Sequence, residues 1–327
     1  MQLSARPNLG FILLFISASL GLNACGDGRV DVASPQACHT ALPPNASVKI
    51  PGGTYTLGDT RFYREEAPVV TTDVAPFEID AHEVTNRQFA AFVDATGYVT
   101  RAERGLPEAD FNHLPDEERK AGSAVFVPPT ARQPVSMMSW WRFVEGAHWR
   151  MPEGPGSSIE GRERYPVVHI AYEDARAYAR WRGRRLPIEA EWEVAARGGL
   201  KGAPYAWGDT PPDALSNPAA NTWQGLFPYV NENVDGHAGL APVGCFAPNP
   251  FGLYDMIGNV WEWTDDAFTP RRDGTKGPES PERGTIKGGS FLCSDTYCQR
   301  YRPAARQPQE RLFSTSHIGF RTVRSTG

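Results

Sequence analysis

Apolar residues are arranged in three different ways along this chain. Near the amino end, Leu9 to Leu22 form a nearly continuous apolar run preceded by Arg6 and the free amino group. That run falls short of the about 20 residues of a membrane-crossing helix, but a short run behind a positive flank has the layout of a signal peptide. Residues 26 to 46 show no periodicity and read as a tether. Beyond them, short runs alternate between strand-like and helical periods. Val48–Asp59, "VKIPGGTYTLGD", predicts a hairpin broken at Pro51-Gly52-Gly53, and Pro76–Val84 predicts another strand. Thr85-Asn86 caps a helix that sets Phe89, Phe92 and Val93 on one face and stops at Gly97. "EDARAYARWRG" groups Ala175, Tyr178 and Ala179 and stops at Gly183. "PIEAEWEVAARGG" starts at Pro187, packs Ile188, Trp192, Ala195 and Ala196, and ends at Gly198.

The third regime is polar. Residues 98 to 165 are rich in Pro and Gly apart from Trp140, Trp141, Phe143 and Trp149. Structureless loops of that length are rare unless functional, so this stretch is either a second layer of the fold or a binding surface. From Ala203 onward the pattern is turns and short strands, with no internal repeat and no later run able to span a bilayer.

Composition sharpens this picture. The chain has 327 residues, with 32 glycines and 29 prolines, above average usage but below the fraction that marks disorder. Nine tryptophans and sixteen phenylalanines supply a core, so the pattern predicts a compact, loop-rich fold. A formal net charge of −5 without a basic stripe argues against a nucleic-acid partner. The seven histidines are scattered, with no HExxH pair, which disfavours a zinc hydrolase. Ser290 follows Gly288-Gly289 but no G-x-S-x-G elbow surrounds it, so a hydrolytic triad is equally weak.

The apolar leader ends in Leu22-Asn23-Ala24-Cys25, which resembles the lipobox of bacterial lipoproteins. Cleavage after Ala24 leaves residues 1–24 as a lipoprotein-type signal peptide, Cys25 as the lipid-bearing residue and residues 25–45 as the tether. The expected address is the bacterial cell envelope, with membrane attachment through Cys25. Four cysteines remain: Cys38, Cys245, Cys293 and Cys298. In an exported protein an even count favours disulfides. Cys38–Cys245 is one possible bridge, though sequence alone leaves the connectivity open. Cys293 and Cys298 can close a small disulfide, bind a soft ion such as Cu(I), or exchange between the two. Oxygen donors cluster separately, with Asn221 and Asp235 in one turn-rich stretch and Asp255 and Glu262 in another. Such donors suit calcium, but Asn and Asp are also common in ordinary polar turns.

A resemblance covering residues 46 to 324 adds to these readings. "IPGGTYTLGD", "WWRFVEGAHWRMPEGPGSSIEGR", "PVVHIAYEDARAYARWRGRRLPIEAEWEVAARGG", "YAWGD", "NTWQGLFP", "GLYDMIGNVWEWTDD", "KGGSFLCSDTYCQRYRPAAR" and "HIGFRTV" occur in the order seen in formylglycine-generating enzymes, or sulfatase-modifying factors. Relatives without this activity share "GNVWEW" and "GFR", and many lack the cysteine pair, so the pair discriminates. The resemblance implies a single α+β domain over 46–327, loop-rich and related to C-type lectins. It implies a copper-dependent oxidase that converts a cysteine within C-x-P-x-R of unfolded sulfatases to formylglycine using O2, acting as a monomer. Cys293 and Cys298 would hold Cu(I), with the substrate thiolate as a third sulfur donor. Ser290 falls on the family's active-site serine and Trp261 on the tryptophan beside the copper. Two structural Ca2+ sites are implied. Asn221 and Asp235 with the carbonyls of Thr222 and His237 match the first; Asp255 and Glu262 with the carbonyls of Gly258 and Val260 match the second.

Departures from the family are visible too. Ser294 replaces a histidine after the first active-site cysteine, and Met151 replaces one in the aromatic loop. Ala179, Ala196, Pro303 and Thr322 stand where vertebrate members carry structural cysteines. Two rival readings keep the fold. One is a calcium-stabilised, lectin-like binding module with an inert Cys293–Cys298 disulfide; the other is an oxidase of a different exported substrate.

Overall fold

Thr85 opens the first helix through a reciprocal cap. Its hydroxyl accepts from Gln88 N, while the Gln88 side chain accepts from Thr85 N at 2.8 Å. An N-cap of this kind contributes about 1 kcal/mol. Helix α1, Asn86–Thr96, then ends at Gly97 in the left-handed region, φ 66°. Its Phe89 and Phe92 are buried, and their ring edges meet Trp149 and Tyr178. Two short helices follow, α2 at Arg101–Arg104 and α3 at Asp116–Arg119. Helix α4, Tyr172–Trp181, buries Ala175, Tyr178 and Ala179, and α5, Glu189–Arg197, buries Trp192, Ala195 and Ala196 before Gly198 turns left-handed. Ile188, expected in that packing face, is instead the exposed N-cap residue of α5.

The computed structural model describes residues 38, 42–43, 45–107, 112, 115–129, 139–272 and 282–326. The signal-peptide and Cys25 readings lie outside these residues. Pro35–Gly327 form one compact unit. No helix among the described residues is long and apolar enough to cross a membrane. Part of the segment read as a tether is held on the fold: Cys38 is disulfide-bonded to Cys245, and a side chain added at Gly244 would strike Leu42.

Strands are short and divided among small sheets. β1 (Ser47–Ile50), β4 (Phe77–Asp80) and β11 (Val323–Ser325) form one sheet in the order β1-β4-β11. β2 (Gly53–Leu57) pairs only with β3 (Val70–Val74). The hairpin predicted over Val48–Asp59 is therefore corrected. Both strands exist, but they belong to different sheets, with Val48 opposite Ile79 and Tyr55 opposite Thr72. The physical reason lies at Gly52, where an added Cβ would come within 2.7 Å of the Pro76 ring. Close packing there turns the Pro-Gly-Gly segment into a passage between sheets.

The long polar stretch contains α2, α3 and the hairpin β5 (Gly122–Phe126) with β6 (Trp141–Glu145). The functional side of the molecule is built on a four-stranded sheet. β7 (Trp261–Ala267), β8 (Arg283–Lys287), β9 (Gln307–Glu310) and β10 (Ile318–Gly319) lie in the order β10-β7-β8-β9. β7 supplies Trp261 and Trp263 to a core that also contains Trp149, Ile286 and Phe320. Under β8 lies a buried charge cluster. Glu193 accepts from Arg197 and Arg272 at 2.7 and 2.6 Å, and Lys287 Nζ lies 3.5 Å away. Every member has an opposite partner, which buried charges require.

Candidate active site

β8 leaves Lys287 and enters Gly288 and Gly289 at φ 97° and 77°. At Gly289 a side chain would press on the Tyr301 backbone at 3.0 Å, so glycine is needed for both reasons. This bend delivers Ser290, and the next turn delivers the cysteines. Cys293 N donates to Ser290 O at 2.9 Å, and Cys298 N donates to Ser294 O at 3.0 Å. Ser294 Oγ accepts from Tyr297 N at 3.1 Å, so the residue standing in place of a histidine acts as a turn cap. The turn brings two residues five apart into contact: Cys293 and Cys298 are free thiols with Sγ atoms 2.8 Å apart. The spacing left a second staple open; the structure has a dithiol.

Above the sulfurs lies a cavity of about 560 Å3. Ser290, Trp261, Cys293 and Cys298 all line it, so the four predicted catalytic residues share one site. Trp140 and Trp141 line it as well, whereas Trp149 is fully buried in the core against Phe89. Sequence reasoning missed Phe227, Tyr297 and His317. The Tyr297 and Phe227 rings stack at 4.1 Å, and Trp140 meets both edge-on. His317 stacks against Trp141 at 4.7 Å, and its carbonyl accepts from Trp261 N at 2.9 Å. The "HIGFR" motif marked its place without marking the side chain as part of the site.

The two thiols are electrostatically unequal. Burial pushes the Cys293 thiol up, so it keeps its proton. Cys298 is shifted down, first by the hydrogen bond from Cys293, against the effect of burial, and then by the Arg300 backbone N–H and guanidinium. Arg300 is in turn held by Glu65 at 2.7 Å. Of the two thiols lining the cavity, Cys298 is therefore the easier to ionise. Paired soft donors at the floor of an open cavity fit a soft monovalent ion such as Cu(I).

The oxygen donors gather at two places. In the first, Asp235 accepts from Thr222 N at 3.3 Å, Gln224 Nε2 at 2.9 Å and His237 N at 2.9 Å. Gln224 Nε2 also contacts the Thr222 carbonyl, so two oxygens converge on one point. Burial raises the Asp235 carboxyl. A buried carboxylate with a carbonyl oxygen converging beside it is oxygen chemistry that fits Ca2+. Asn221 adjoins this group and donates to Asn259 Oδ1 at 3.0 Å. At the second place Asp255, Glu262 and Glu83 are all buried close together, and burial pushes Asp255 up to about 6. Arg321 binds Glu262 through two hydrogen bonds of 2.8 and 2.7 Å, and Trp192 Nε1 donates to the same carboxylate. Glu83 Oε2 has no hydrogen-bond partner among the described residues. This excess of buried carboxylate over cation also fits a divalent ion. Gly258 and Asn259, at φ 84° and 51°, shape the adjoining loop that carries Val260.

The loops that carry these oxygen donors are tied to the cysteine turn. Trp223 N donates to Cys293 O at 2.9 Å, and Phe291 N donates to Asn259 O at 3.0 Å. Glu83 and Asn259 were not singled out in the sequence; a buried acid carries no periodic signal.

Comparison with known proteins places this geometry. The model of the sulfatase-modifying factor enzyme 1-like domain matches residues 33–326. The formylglycine-generating enzyme of Mycobacterium tuberculosis is 50% identical over 294 residues, covering 84% of this chain and 96% of that protein. An inactive C-alpha-formylglycine-generating enzyme 2 of Bos taurus is 38% identical, covering 86% of this chain and 88% of its own length. Among solved structures, PvdO from Pseudomonas aeruginosa superposes with a TM-score of 0.59 at 25% identity, over 85% of this chain and 94% of PvdO. With its α+β, loop-rich domain and this extent of similarity, the chain belongs to the formylglycine-generating enzyme (sulfatase-modifying factor) family.

Proposed function

We propose that this protein is a copper-dependent oxidase that converts a cysteine in C-x-P-x-R segments of unfolded sulfatases to formylglycine with O2. The observation that carries the reading is the free dithiol of Cys293 and Cys298 at the floor of the cavity. A relative described as inactive is 38% identical, so overall similarity does not decide activity. Cys293 and Cys298 hold the ion, and the Arg300 side of the pair favours the thiolate form it needs. Cu(I) bound there supplies the redox chemistry that lets a thiol react with O2. Trp261 and Trp140, both buried, wall the sulfurs from bulk water. Ser290 Oγ accepts from Leu292 N at 3.3 Å, which leaves its own proton to donate into the cavity.

The substrate cysteine loses two electrons to become a thioaldehyde, and water then releases sulfide and leaves the aldehyde. Taking O2 to two waters needs four electrons, so two external thiols supply the other two as they join in a disulfide. Two Ca2+ ions hold the loops that brace the cysteine turn, at Asn221, Thr222, Asp235 and His237 and at Asp255, Gly258, Val260 and Glu262. Export through the leader, with lipidation at Cys25, completes the proposal; a Cys25→Ser form released from the membrane fraction supports the anchor.

The test uses the soluble domain loaded with Cu(I), a C-x-P-x-R peptide, O2 and a thiol reductant. Mass spectrometry reads the aldehyde. A correctly metallated protein that makes none overturns the oxidase and leaves the binding-module reading.

A further inference from the structure

β9 is the edge strand of the four-stranded sheet, and all four of its residues, Gln307 to Glu310, line the cavity that contains the cysteines. Its register places Thr285 opposite Pro308 and Arg283 opposite Glu310. Proline has no N–H, so Thr285 and Pro308 cannot exchange both ladder bonds. The bonded pairs on β8 are therefore Ile286–Gln307 and Gly284–Gln309. Strand parity then turns the Pro308 carbonyl and the Glu310 N–H away from β8. These two groups are spaced to accept from and donate to one extended segment lying along the edge. Pro308 also limits pairing with another copy of the chain, since a longer ladder would need its missing N–H.

Among the described residues that line this cavity, Glu310 is the only carboxylate and Arg283 the only permanent cation. They form a cross-strand pair, with Arg283 Nε donating to Glu310 Oε1 at 2.5 Å, and both side chains are more than one-third exposed. An exposed pair of this kind is worth little, so a guanidinium from a docked segment can share the carboxylate. We infer that β9 is the docking edge for the substrate polypeptide and that Glu310 selects a cationic side chain downstream of the reacting cysteine. This rests on the oxidase reading and assigns to Glu310 the arginine of C-x-P-x-R. Arg283 is a built-in competitor that weakens the selection for that arginine and penalises a second positive charge nearby.

The experiment has a binding arm and a turnover arm. In the first, fluorescence anisotropy of the full-length protein reads S-x-P-x-R and S-x-P-x-Q peptides, whose serine prevents reaction. In the second, aldehyde formation is followed for the matching cysteine peptides. The wild type is expected to prefer arginine to glutamine about fivefold in both arms, the upper range for an exposed ion pair. Glu310→Gln should bring that ratio to one or below, because Arg283 then stands without its counter-charge, and Arg283→Gln should raise it. Glu310→Arg should favour a peptide with glutamate at that position. A Glu310→Gln protein that keeps the full arginine preference overturns the assignment. Failure of turnover with the binding preference intact overturns the oxidase and leaves the docking edge standing.

Discussion

The molecule carries two cysteine pairs that the fold treats in opposite ways. Cys38 and Cys245, 207 residues apart in sequence, are joined by a disulfide. Cys293 and Cys298, five residues apart, approach to 2.8 Å and stay unbonded. Loop-closure entropy explains where a bridge is useful. Closing a loop of some two hundred residues restricts the unfolded chain by about 5 kcal/mol, whereas the short turn between Cys293 and Cys298 is already held by backbone hydrogen bonds. The distant pair also abuts the loop that carries Asp235 and His237: both its sulfurs and a His237 ring nitrogen lie within 4.8 Å of one another. One pair secures an end of the chain; the other is positioned without being consumed.

The strongest way to break this comparison is to disable each pair in turn. Cys298→Ala should lower aldehyde formation by at least about 10³-fold, the scale on which loss of an essential catalytic group acts. Its stability should change by only about 1 kcal/mol, because a small buried atom is lost and no long loop is released. Cys38→Ser with Cys245→Ser should do the reverse, costing about 2–5 kcal/mol of stability with turnover per folded molecule retained. Thermal melts and the aldehyde assay, run on both variants, read the crossover. If both variants lost turnover equally at a temperature where both are folded, the division of labour would be wrong.

Why the sequence revealed one half of this division and obscured the other follows from the kinds of signal involved. The α1 boundaries were legible because Thr85, Gln88 and Gly97 act within a few residues of one another. The pairing of β1 with β4 was not, since it depends on Gly52 packing against Pro76 and on Ile79 reaching the core. At the site, the cysteines and Ser290 lie in one continuous motif. Phe227, His317 and Glu310 reach the same cavity from separate segments, and only tertiary packing brings them there. Cysteine count and compartment alone pointed to a second bridge, and only the motif surrounding Cys293 and Cys298 implied an unbridged pair.

A smaller effect separates the two regions by pH. Glu193, buried beneath β8 with Arg272, Lys287 and Arg197, is held down to about 2 from an ordinary 4.5 by those cations, against the opposing effect of burial. A depressed carboxyl contributes stability that is complete above its unfolded value and is lost as pH falls through its folded value. The window is thus from about 4.5 down to about 2, and its size is on the order of 3 kcal/mol. Disulfides do not titrate there, so acid should loosen the β8 support of the cysteine turn while Cys38–Cys245 stays closed. Glu193→Gln should flatten the stability–pH curve over that window, read by urea unfolding at successive pH values. It should also destabilise the protein at neutral pH, because the buried cations lose a counter-charge. An unchanged slope would show that the cluster does not set acid stability.

The finest distinction lies inside the free pair. Burial holds Cys293 as a thiol, while the Cys293 hydrogen bond and Arg300 favour the thiolate of Cys298. Alkylation by iodoacetamide, resolved by peptide mass mapping in metal-free protein, should therefore modify Cys298 first. Its rate should rise with a midpoint below the about 8.5 of a free cysteine. Arg300→Gln removes a positive charge beside the thiolate and so shifts that midpoint up. At neutral pH the Cys298 rate should fall a few-fold, with Cys293 little affected because burial dominates its titration. Arg300 also stacks on Tyr63 at 3.9 Å and pairs with Glu65, so a Lys substitution is the sharper control. Arg300→Lys keeps the charge and loses the planar stacking, and should restore most of the early midpoint. If lysine and glutamine shifted it equally, the thiolate would owe nothing to the side-chain charge at position 300 and its stability would rest on the Cys293 and Arg300 backbone hydrogen bonds.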